Sequence, residues 1–318
     1  MYKIAIIQKI HEEGLKILDN NKDFQYDVIN DVSEENLLKI IHQYDGVTLR
    51  VSKLSNKVLS KATKLKVISR HGVGFDNVDV SYLRQNNITL LITATANAIA
   101  VAEHVFYLML TISKNFLYLD REVRLGNFKD NINKFPTFEL HNKEILIAGF
   151  GRIGKNLIKK CKAFDMNVKV YDPFVEENII NEMGGQKVDD FDNALKTLDV
   201  LSIHMPLNAK TKDIINLKKM KTMKKNAIII NTARGGIVNE RDLSQALNEK
   251  IILAAGFDVF VNEPINLDNP LLKNENILLS PHTAALTNEC IIRMGKETAV
   301  NIINFFENKI STNMIVKL

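Results

Sequence analysis

The sequence predicts an α/β protein with two doubly wound parallel sheets. Its 318 residues exceed what one hydrophobic core usually serves, so two domains are the first expectation. Short apolar runs alternate with amphipathic stretches in both halves of the chain. That alternation is typical of a parallel sheet covered by helices on both faces. One amphipathic helix then ends the chain and is too small to form a third domain.

The first half shows four apolar runs of strand length and two clear helical stretches. The second of those helices follows Ser33, a residue type that caps helix N-termini. A further helix is expected between the third and fourth strands. The expected strands are 4–7, 26–29, 46–49 and 65–69, and the expected helices are 12–18 and 33–42.

The second half begins with a long apolar segment, 98–112, which is helical by length and composition. A polar stretch follows at 120–143, and then the alternation resumes. The chain ends in an amphipathic helix at 288–308. The expected strands of this half are 144–148, 168–171, 200–204, 227–231, 254–258 and 277–280.

Composition excludes several classes of protein. The formal charge is +5, but the basic residues are scattered, and the densest basic run, 218–225, has no aromatic partners and is expected to be a solvated helix face. Cys161 and Cys290 have no metal-ligand spacing, which argues against structural zinc and disulfides and suits a reducing compartment. The N-terminus turns polar too soon for a signal peptide, and no apolar run reaches about 18 residues. We therefore expect a soluble cytoplasmic protein with no metal and with neither nucleic acid nor membrane as a partner.

The sharpest local motif is a glycine-rich loop, Gly149, Gly151 and Gly154 in GxGxxG spacing. It follows the strand pattern 145–148 and opens the helical pattern 156–162. In that context the glycines allow a tight turn, close backbone approach to a pyrophosphate, and close packing of helix on strand. The sequence therefore predicts a dinucleotide site at this loop, rather than a glycine turn without a ligand.

An acidic residue stands where such a site needs one. Asp172 ends the next strand, roughly 20 residues after the glycine loop, where a carboxylate accepts hydrogen bonds from the ribose hydroxyls. The same negative charge repels a 2′-phosphate. The predicted cofactor is therefore NAD rather than NADP.

Three further segments end apolar strands with polar residues: 231–236, 258–264 and 280–285. Taken singly, Arg234 could be a surface ion-pair partner, Glu263 a turn residue and His282 a loop histidine. Together they supply what reduction of a 2-oxo acid needs: a cation for the carboxylate, a proton donor and a carboxylate beside it. Free imidazole, with a pKa of about 6.5, is only about 10% protonated at about pH 7.5, so an adjacent glutamate that favours the charged ring makes chemical sense.

At this point the chain resembles the D-isomer-specific 2-hydroxyacid dehydrogenases, and within them the catalytic core of the phosphoglycerate dehydrogenases. The resemblance runs through nearly the whole chain. Its motifs are 70–79 (RHGVGFDNVD), 97–104 (NAIAVAEH), the glycine loop, 204–207 (HMPL) and the three polar segments.

This resemblance implies a Rossmann NAD-binding domain, residues 97–286, inserted into a flavodoxin-like substrate-binding domain, residues 1–96 and 287–318. It also implies a homodimer formed through the NAD-binding domain, with the polar stretch 120–143 as the expected interface. A regulatory extension that many phosphoglycerate dehydrogenases carry is not found after Leu318, so serine feedback through such a domain is not expected.

The resemblance also assigns roles to individual residues. Arg234 would bind substrate, His282 would donate or accept the proton, and Glu263 would be its partner. The backbone N–H groups of Val73 and Gly74 would hold the substrate carboxylate. The cofactor site would be lined by Gly149, Gly151, Arg152, Ile153, Gly154, Asp172, His204, Met205, Pro206, Thr232, Ala233, Asp258, Ala284 and Ala285.

The substrate is less narrowly defined. Arg50, Ser52 and Arg70 follow strands of the first domain, and two arginines there could grip a phosphate, or could instead make structural ion pairs. His71 and Ala285 depart from the usual pattern of phosphoglycerate dehydrogenases. We expect 3-phosphoglycerate, with hydroxypyruvate, glyoxylate, other small 2-oxo acids and a sulfonated analogue as alternatives. A binding module that senses NAD, as in the related co-repressors, is the alternative from another class; Arg234, Glu263 and His282 favour the enzyme.

Overall fold

The computed structural model describes residues 1–128 and 137–317. Its contacts divide the chain into two compact units. Unit 1 comprises Met1–Asn97 and Leu286–Leu318, and unit 2 comprises Ala98–Ala285. In the chain, unit 2 therefore interrupts unit 1.

Twelve strands are defined in the described residues. They are β1 (Tyr2–Ile7), β2 (Phe24–Ile29), β3 (Gly46–Leu49), β4 (Val67–Arg70), β5 (Thr89–Ile92), β6 (Glu144–Ala148), β7 (Asn167–Tyr171), β8 (Gln186–Lys187), β9 (Val200–Ile203), β10 (Ile228–Asn231), β11 (Ala254–Phe257) and β12 (Ile277–Leu279).

The α-helices of the described residues also number twelve. They are α1 (Glu12–Asp19), α2 (Glu34–Ile40), α3 (Asn56–Leu59), α4 (Val80–Gln85), α5 (Ala98–Ser113), α6 (Phe116–Arg124), α7 (Arg152–Ala163), α8 (Glu177–Glu182), α9 (Phe191–Ala194), α10 (Leu217–Met220), α11 (Glu240–Asn248) and α12 (Asn288–Phe306). Short 3₁₀ turns occur at Ile41–Gln43, Pro270–Lys273 and Thr312–Met314.

The sheet of unit 1 has five parallel strands in the order β2-β1-β3-β4-β5. This is the order of flavodoxin-like folds. Side chains alternate along β1, so that Ala5 lies in the apolar cluster of Leu37 on one face, while Ile6 lies in that of Leu18 on the other. Helix α12 returns to this unit and crosses α1 closely: a Cβ on Gly14 would lie 2.4 Å from the Gly295 carbonyl oxygen.

The sheet of unit 2 has seven parallel strands in the order β12-β11-β10-β9-β6-β7-β8. Its first six strands in chain order, β6 to β11, follow the Rossmann arrangement, and β12 extends that sheet. Ile145 and Ile147 pack with Leu157 of α7, whereas Leu146 packs in the cluster that contains Leu243 of α11. Both faces are therefore covered, and the predicted fold class is confirmed.

Most predicted elements are found within a residue or two of their expected ends. The elements that were not predicted are the strands β5 and β8 and the helices α4, α6, α8, α9 and α11. Helix α6 occupies the start of the stretch expected to be a polar arm. Residues 129–136 of that arm lie outside the described residues. Within 1–128 and 137–317, no helix combines the length and apolar character that a membrane crossing requires.

Candidate active site

The candidate site of unit 2 lies at the carboxyl ends of its parallel strands. The chain order reverses between β6 and β9, and this reversal point is where such sheets bind ligands. The glycine loop follows β6, and His204 and Met205 follow β9. The polar segments after β10, β11 and β12 follow along the same edge.

At two positions of the loop, Gly149 and Gly154, there is no room for a side chain. Gly149 has φ +101°, and a Cβ there would lie 2.7 Å from the carbonyl carbon of His204 and 2.8 Å from the nitrogen of Met205. A Cβ on Gly154 would lie 2.6 Å from the Gly149 carbonyl oxygen. The loop is therefore pressed against β9 on one side and against the first turn of α7 on the other.

Gly151 is open, in contrast. A Cβ at this position would meet nothing within 4 Å. Gly151 is also the N-cap of α7, and it offers no capping side chain to the first turn of that helix. An open glycine at the positive end of a helix fits a pyrophosphate.

Asp172 is tied to the same loop. Its Oδ2 accepts a hydrogen bond of 2.7 Å from the Phe150 N–H, and its Oδ1 accepts one of 2.9 Å from the Phe174 N–H. The carboxylate therefore fixes the glycine loop as well as standing at the end of β7. This second part was not foreseen from the sequence.

Two buried polar atoms near the ends of β9 and β10 have no partner among the described residues: Nδ1 of His204 and Oγ1 of Thr232. The other ring nitrogen of His204, Nε2, lies 2.8 Å from the Ser202 hydroxyl. Burial lowers the pKa of His204 to about 3, so its ring is neutral. Unpaired buried polar atoms are costly, and a bound ligand is one way to satisfy them. Together with the open Gly151, they fit a dinucleotide.

The loop that carries Arg234 is held from within. Asn231 is fully buried; its amide donates to the Arg234 carbonyl at 3.0 Å and its Oδ1 accepts from the Ala233 N–H at 3.1 Å. A Cβ on Gly235 would lie 1.9 Å from the carbonyl carbon of Phe260, so this loop rests directly on the backbone that follows β11. Asn231 therefore shapes the loop that carries Arg234, a part that was not predicted from the sequence.

Glu263 and His282 form a close pair. Nδ1 of His282 lies 2.6 Å from Oε2 of Glu263, and the other carboxylate oxygen accepts a 3.0 Å hydrogen bond from the Phe260 N–H. His282 has a left-handed backbone, with φ +53°. Since a carboxylate only accepts, Nδ1 carries the proton in this pair. Within the described residues, Nε2 of His282 has no hydrogen-bond partner.

The charges of the pair support one another. The hydrogen bond to Glu263 is the main reason why the pKa of His282 is raised, with further help from the charges of Glu263 and Asp258 against burial and Arg234. Burial by itself raises the pKa of Glu263, but hydrogen bonds from His282 and Phe260, with the charges of His282 and Arg234, outweigh it and leave that pKa lowered. The three residues predicted from the ends of separate strands therefore act on one another electrostatically.

Asp258 fixes the loop that carries His282. It is 1% exposed; its Oδ1 accepts from the Ser280 hydroxyl at 2.6 Å and from the Thr283 N–H at 2.8 Å, and its Oδ2 accepts from the Ala284 N–H at 2.9 Å. Both oxygens are thus used by the chain's own donors. Ala285, the other loop residue assigned to the cofactor site, is half-buried.

In unit 1 the predicted substrate residues lie on two loops that are bonded to each other. Gln8 accepts hydrogen bonds from the N–H groups of Val51 and Ser52, and the Asn77 amide donates to the carbonyls of Arg50 and Ser52. Gln8 and Asn77 were not singled out from the sequence. The Arg50 guanidinium donates to the Lys9 carbonyl at 3.0 Å.

Arg70 differs from the expected phosphate ligand. Its side chain is 8% exposed and donates to the carbonyls of Gly74 (2.8 Å), Leu49 (2.6 Å) and Arg50. The structure therefore favours the structural alternative for Arg70: it joins the loop after β3 to the loop that contains Val73 and Gly74. Burial, with the charge of Arg50 next in weight, lowers the pKa of the neighbouring His71 to about 4, so this ring is neutral as well.

Comparison with known proteins identifies the family. Residues 106–284 match the family model described as D-isomer specific 2-hydroxyacid dehydrogenase, NAD binding domain. This match confirms the family and NAD as the cofactor. The glycine loop, Asp172 and the His204 segment all lie within the matched range.

Individual relatives match over almost the whole chain. A D-3-phosphoglycerate dehydrogenase of Methanocaldococcus jannaschii is 36% identical over 99% of this chain, but the chain spans only 59% of that relative's length. A glyoxylate reductase of Thermococcus litoralis is 34% identical over 99% of this chain and 97% of its own. Among solved structures, the D-lactate dehydrogenase of Aquifex aeolicus complexed with NAD and lactic acid superposes with a TM-score of 0.84, at 26% identity and 96% coverage of both chains.

Proposed function

The chain belongs to the D-isomer specific 2-hydroxyacid dehydrogenase family, and we propose that it moves a hydride between NAD and a small D-2-hydroxy or 2-oxo acid. The observation that carries this proposal is the 2.6 Å contact between His282 and Glu263, with Arg234 close enough to influence both. His282 is thus a proton donor whose charged form is favoured, and Arg234 is a cation suited to binding a carboxylate.

The proposed roles follow from which atoms are left available. Nδ1 of His282 is held by Glu263, so Nε2 is the atom that gives a proton to the substrate carbonyl oxygen in reduction and takes it back in oxidation. Arg234 binds the substrate carboxylate and polarises the carbonyl with its planar guanidinium. NAD supplies the hydride acceptor or donor. Glu263 orients the ring and favours its protonated form.

We propose that NAD is preferred to NADP because of Asp172. Its carboxylate lies at the end of β7 and is bonded to the glycine loop. The negatively charged carboxylate would repel a 2′-phosphate, whereas ribose hydroxyls can donate hydrogen bonds to it. We propose that the other residues of the predicted cofactor set line this site.

Of the possible acids, we propose 3-phosphoglycerate and its 2-oxo partner, 3-phosphohydroxypyruvate, as the first pair to test. Phosphoglycerate dehydrogenases are among the relatives, and Arg50 offers a cation on the loop after β3. The backbone N–H groups of Val73 and Gly74 would receive the carboxylate. With Arg70 held by carbonyl oxygens, the proposed phosphate contact rests on Arg50, supported by Ser52.

A second candidate is an unphosphorylated acid such as glyoxylate or hydroxypyruvate. The observation that favours it is the state of the loop after β4, where Arg70 is engaged by the backbone and His71 is neutral. A loop with this little available charge suits a small acid without a second anionic group. The glyoxylate reductase of Thermococcus litoralis, whose length the chain matches closely, supports this candidate.

The assignment of units and partners is part of the same proposal. The predicted substrate-binding domain, 1–96 and 287–318, corresponds in the chain to unit 1, and the predicted NAD-binding domain, 97–286, to unit 2. We propose a homodimer formed through unit 2, where a run of large apolar side chains is exposed. These are Tyr107, Phe116, Leu117, Val123, Leu125 and Phe128.

The proposed location is the cytoplasm, and the proposed pathway is serine biosynthesis if the phosphorylated acid is the substrate. Both cysteines, Cys161 and Cys290, are free and buried, which suits a reducing compartment.

The test is NADH oxidation with a panel of 2-oxo acids, repeated with NADPH. The panel contains 3-phosphohydroxypyruvate, hydroxypyruvate, glyoxylate, pyruvate and 3-sulfopyruvate. Turnover of any of them with NADH supports the reaction class, and the preferred acid chooses between the two candidates. Binding of NADH without turnover of any acid would contradict the proposal that the protein is an enzyme, and would favour the alternative of an NAD-sensing binding module.

A further inference from the structure

A chain of three side chains in unit 2 leads from helix α5 to the loop of His282. Nε2 of His104 lies 3.0 Å from the Ser280 hydroxyl oxygen, and that hydroxyl lies 2.6 Å from Oδ1 of Asp258. His104 is half-buried and its Nε2 is also 3.8 Å from Oδ1 of Asp258. None of the roles proposed so far uses His104 or Ser280.

The direction of each hydrogen bond in this chain is fixed by chemistry. The Asp258 carboxylate can only accept, and the Ser280 hydroxyl has a single proton, which it therefore gives to Asp258. The Ser280 oxygen is then left as an acceptor, so Nε2 of His104 must carry a proton and donate it. Burial lowers the pKa of His104 more than the charge of Asp258 raises it, so this ring is neutral and its proton lies on Nε2.

Asp258 in turn holds the residues on both sides of His282. It accepts from the N–H groups of Thr283 and Ala284, which follow His282, and from the side chain of Ser280, which precedes it by two residues. The Ser280 carbonyl also accepts from the His282 N–H at 3.1 Å. Hydrogen bonds to Asp258 and Ser280 thus hold the backbone on both sides of His282, which has the left-handed conformation.

We propose that His104 is a positioning residue for His282: through Ser280 it orients Asp258, which fixes the loop that aims His282 at Glu263 and at the substrate. This inference rests on the proposed function, in which His282 is the proton donor. It deepens that function, because it extends the proton-donor assembly by two residues, His104 and Ser280, that act through Asp258.

The quantity to measure is the pKa of His282, because loss of the positioning contact should change the surroundings of its ring. Three charged groups act on this ring: Glu263 and Asp258, which raise its pKa, and Arg234, which lowers it. The largest effect is the 2.6 Å hydrogen bond to Glu263. If the loop moves, this short contact lengthens first, and the pKa of His282 falls towards its ordinary value.

The experiment uses the whole chain labelled with ¹⁵N-histidine and three variants. His104→Leu removes the donor, His104→Gln keeps an N–H donor for Ser280, and Ser280→Ala breaks the same chain with a smaller change in case His104→Leu does not fold. His141→Leu is the matched control, since His141 is a surface residue of unit 2 paired with Asp165 at 3.5 Å. NMR gives the tautomer of His104 and the pKa of His282, and kinetics give kcat, KM and the Kd for NADH.

We expect the Nε2–H tautomer at His104, a lowered pKa of His282 in His104→Leu and Ser280→Ala, and a fall in kcat of about tenfold. His104→Gln should restore both values, and His141→Leu should alter neither. The inference is overturned by an Nδ1–H tautomer, by a wild-type pKa of His282 in both disrupting variants, or by a His104→Gln variant that behaves like His104→Leu. If the wild-type chain reduces no acid, the proposed function fails, and the two NMR measurements still decide the inference.

Discussion

Nδ1 of His282 lies 2.6 Å from Oε2 of Glu263, although the two residues follow different strands, β12 and β11. Each partner favours the charged form of the other: the pKa of the imidazole is raised and that of the carboxyl is lowered. The pair therefore keeps a proton available on an imidazole at pH values where free imidazole is mostly neutral. Because the second nitrogen of His282 has no partner within the described residues, that proton can be delivered outward.

The first prediction concerns the pH dependence of reduction. A raised pKa keeps His282 protonated to higher pH, and activity is lost as pH rises through that pKa. Glu263→Gln removes the main cause of the shift, so the alkaline limb of kcat/KM for reduction should move to lower pH. Glu275→Gln, an exposed residue before β12, should leave the limb in place. A Glu263→Gln profile that overlays the wild-type profile would contradict the assigned pairing.

Two neighbouring glycines should respond differently to alanine. Gly149→Ala forces a side chain into a left-handed backbone and against His204, so the free energy of unfolding should fall by about 2 kcal/mol or more. Gly151→Ala adds a methyl group in open space, so its stability should stay near wild type while NADH affinity falls by about tenfold. Thermal unfolding and NADH titration check both, and equal effects of the two changes on NADH affinity at unchanged stability would count against the loop geometry.

Asp172 should control the choice of cofactor. Asp172→Asn keeps an oxygen for the Phe150 N–H but removes the negative charge, so the ratio of kcat/KM for NADPH to that for NADH should rise by about tenfold. Asp189→Asn, an exposed residue of the same unit, is the control. An unchanged ratio in Asp172→Asn would argue against the ribose contact.

The two arginines of unit 1 should separate into a substrate residue and a structural one. Arg50→Ala should lower kcat/KM for 3-phosphohydroxypyruvate by about tenfold more than for glyoxylate, if the phosphate is bound there. Arg70→Met should instead lower stability by about 1–3 kcal/mol, with similar losses for both acids, because it removes one donor from each of the carbonyls of Gly74, Leu49 and Arg50. Arg84→Met, on the exposed side of α4, should change neither. Equal losses for both acids in Arg50→Ala would remove the phosphate contact.

Much of the fold could be predicted because its signals are local. The glycine loop stood between a buried strand and a helix, and the polar segments followed short apolar runs that are typical of interior strands. Strand β5 (Thr89–Ile92) was missed because four residues after a polar turn give too short a pattern. Helix α6 was missed because Asp120, Arg121 and Arg124 made its second half look like a polar arm.

Contacts between residues far apart in the chain could not be predicted from the sequence. Arg70 was expected to face a ligand, and only the folded loops show that the carbonyls of Leu49, Arg50 and Gly74 surround it. His104 offered one signal: at helical spacing it shares a face with Ala100 and Leu108, which are buried, so a polar partner was required. Which residue would be that partner could not be read from the sequence, because Ser280 is far along the chain.

The role of His282 as the proton donor is tested most directly by the turnover of His282→Asn. Asparagine tolerates the left-handed backbone at this position but cannot serve as a general acid near neutral pH. NADH oxidation with the preferred 2-oxo acid gives kcat, and the fluorescence of NADH gives its affinity in a chain that contains no tryptophan. We expect a loss of about 10²–10⁴-fold in kcat with NADH bound as in the wild type. A His282→Asn variant with near-wild-type kcat would show that His282 is not the proton donor.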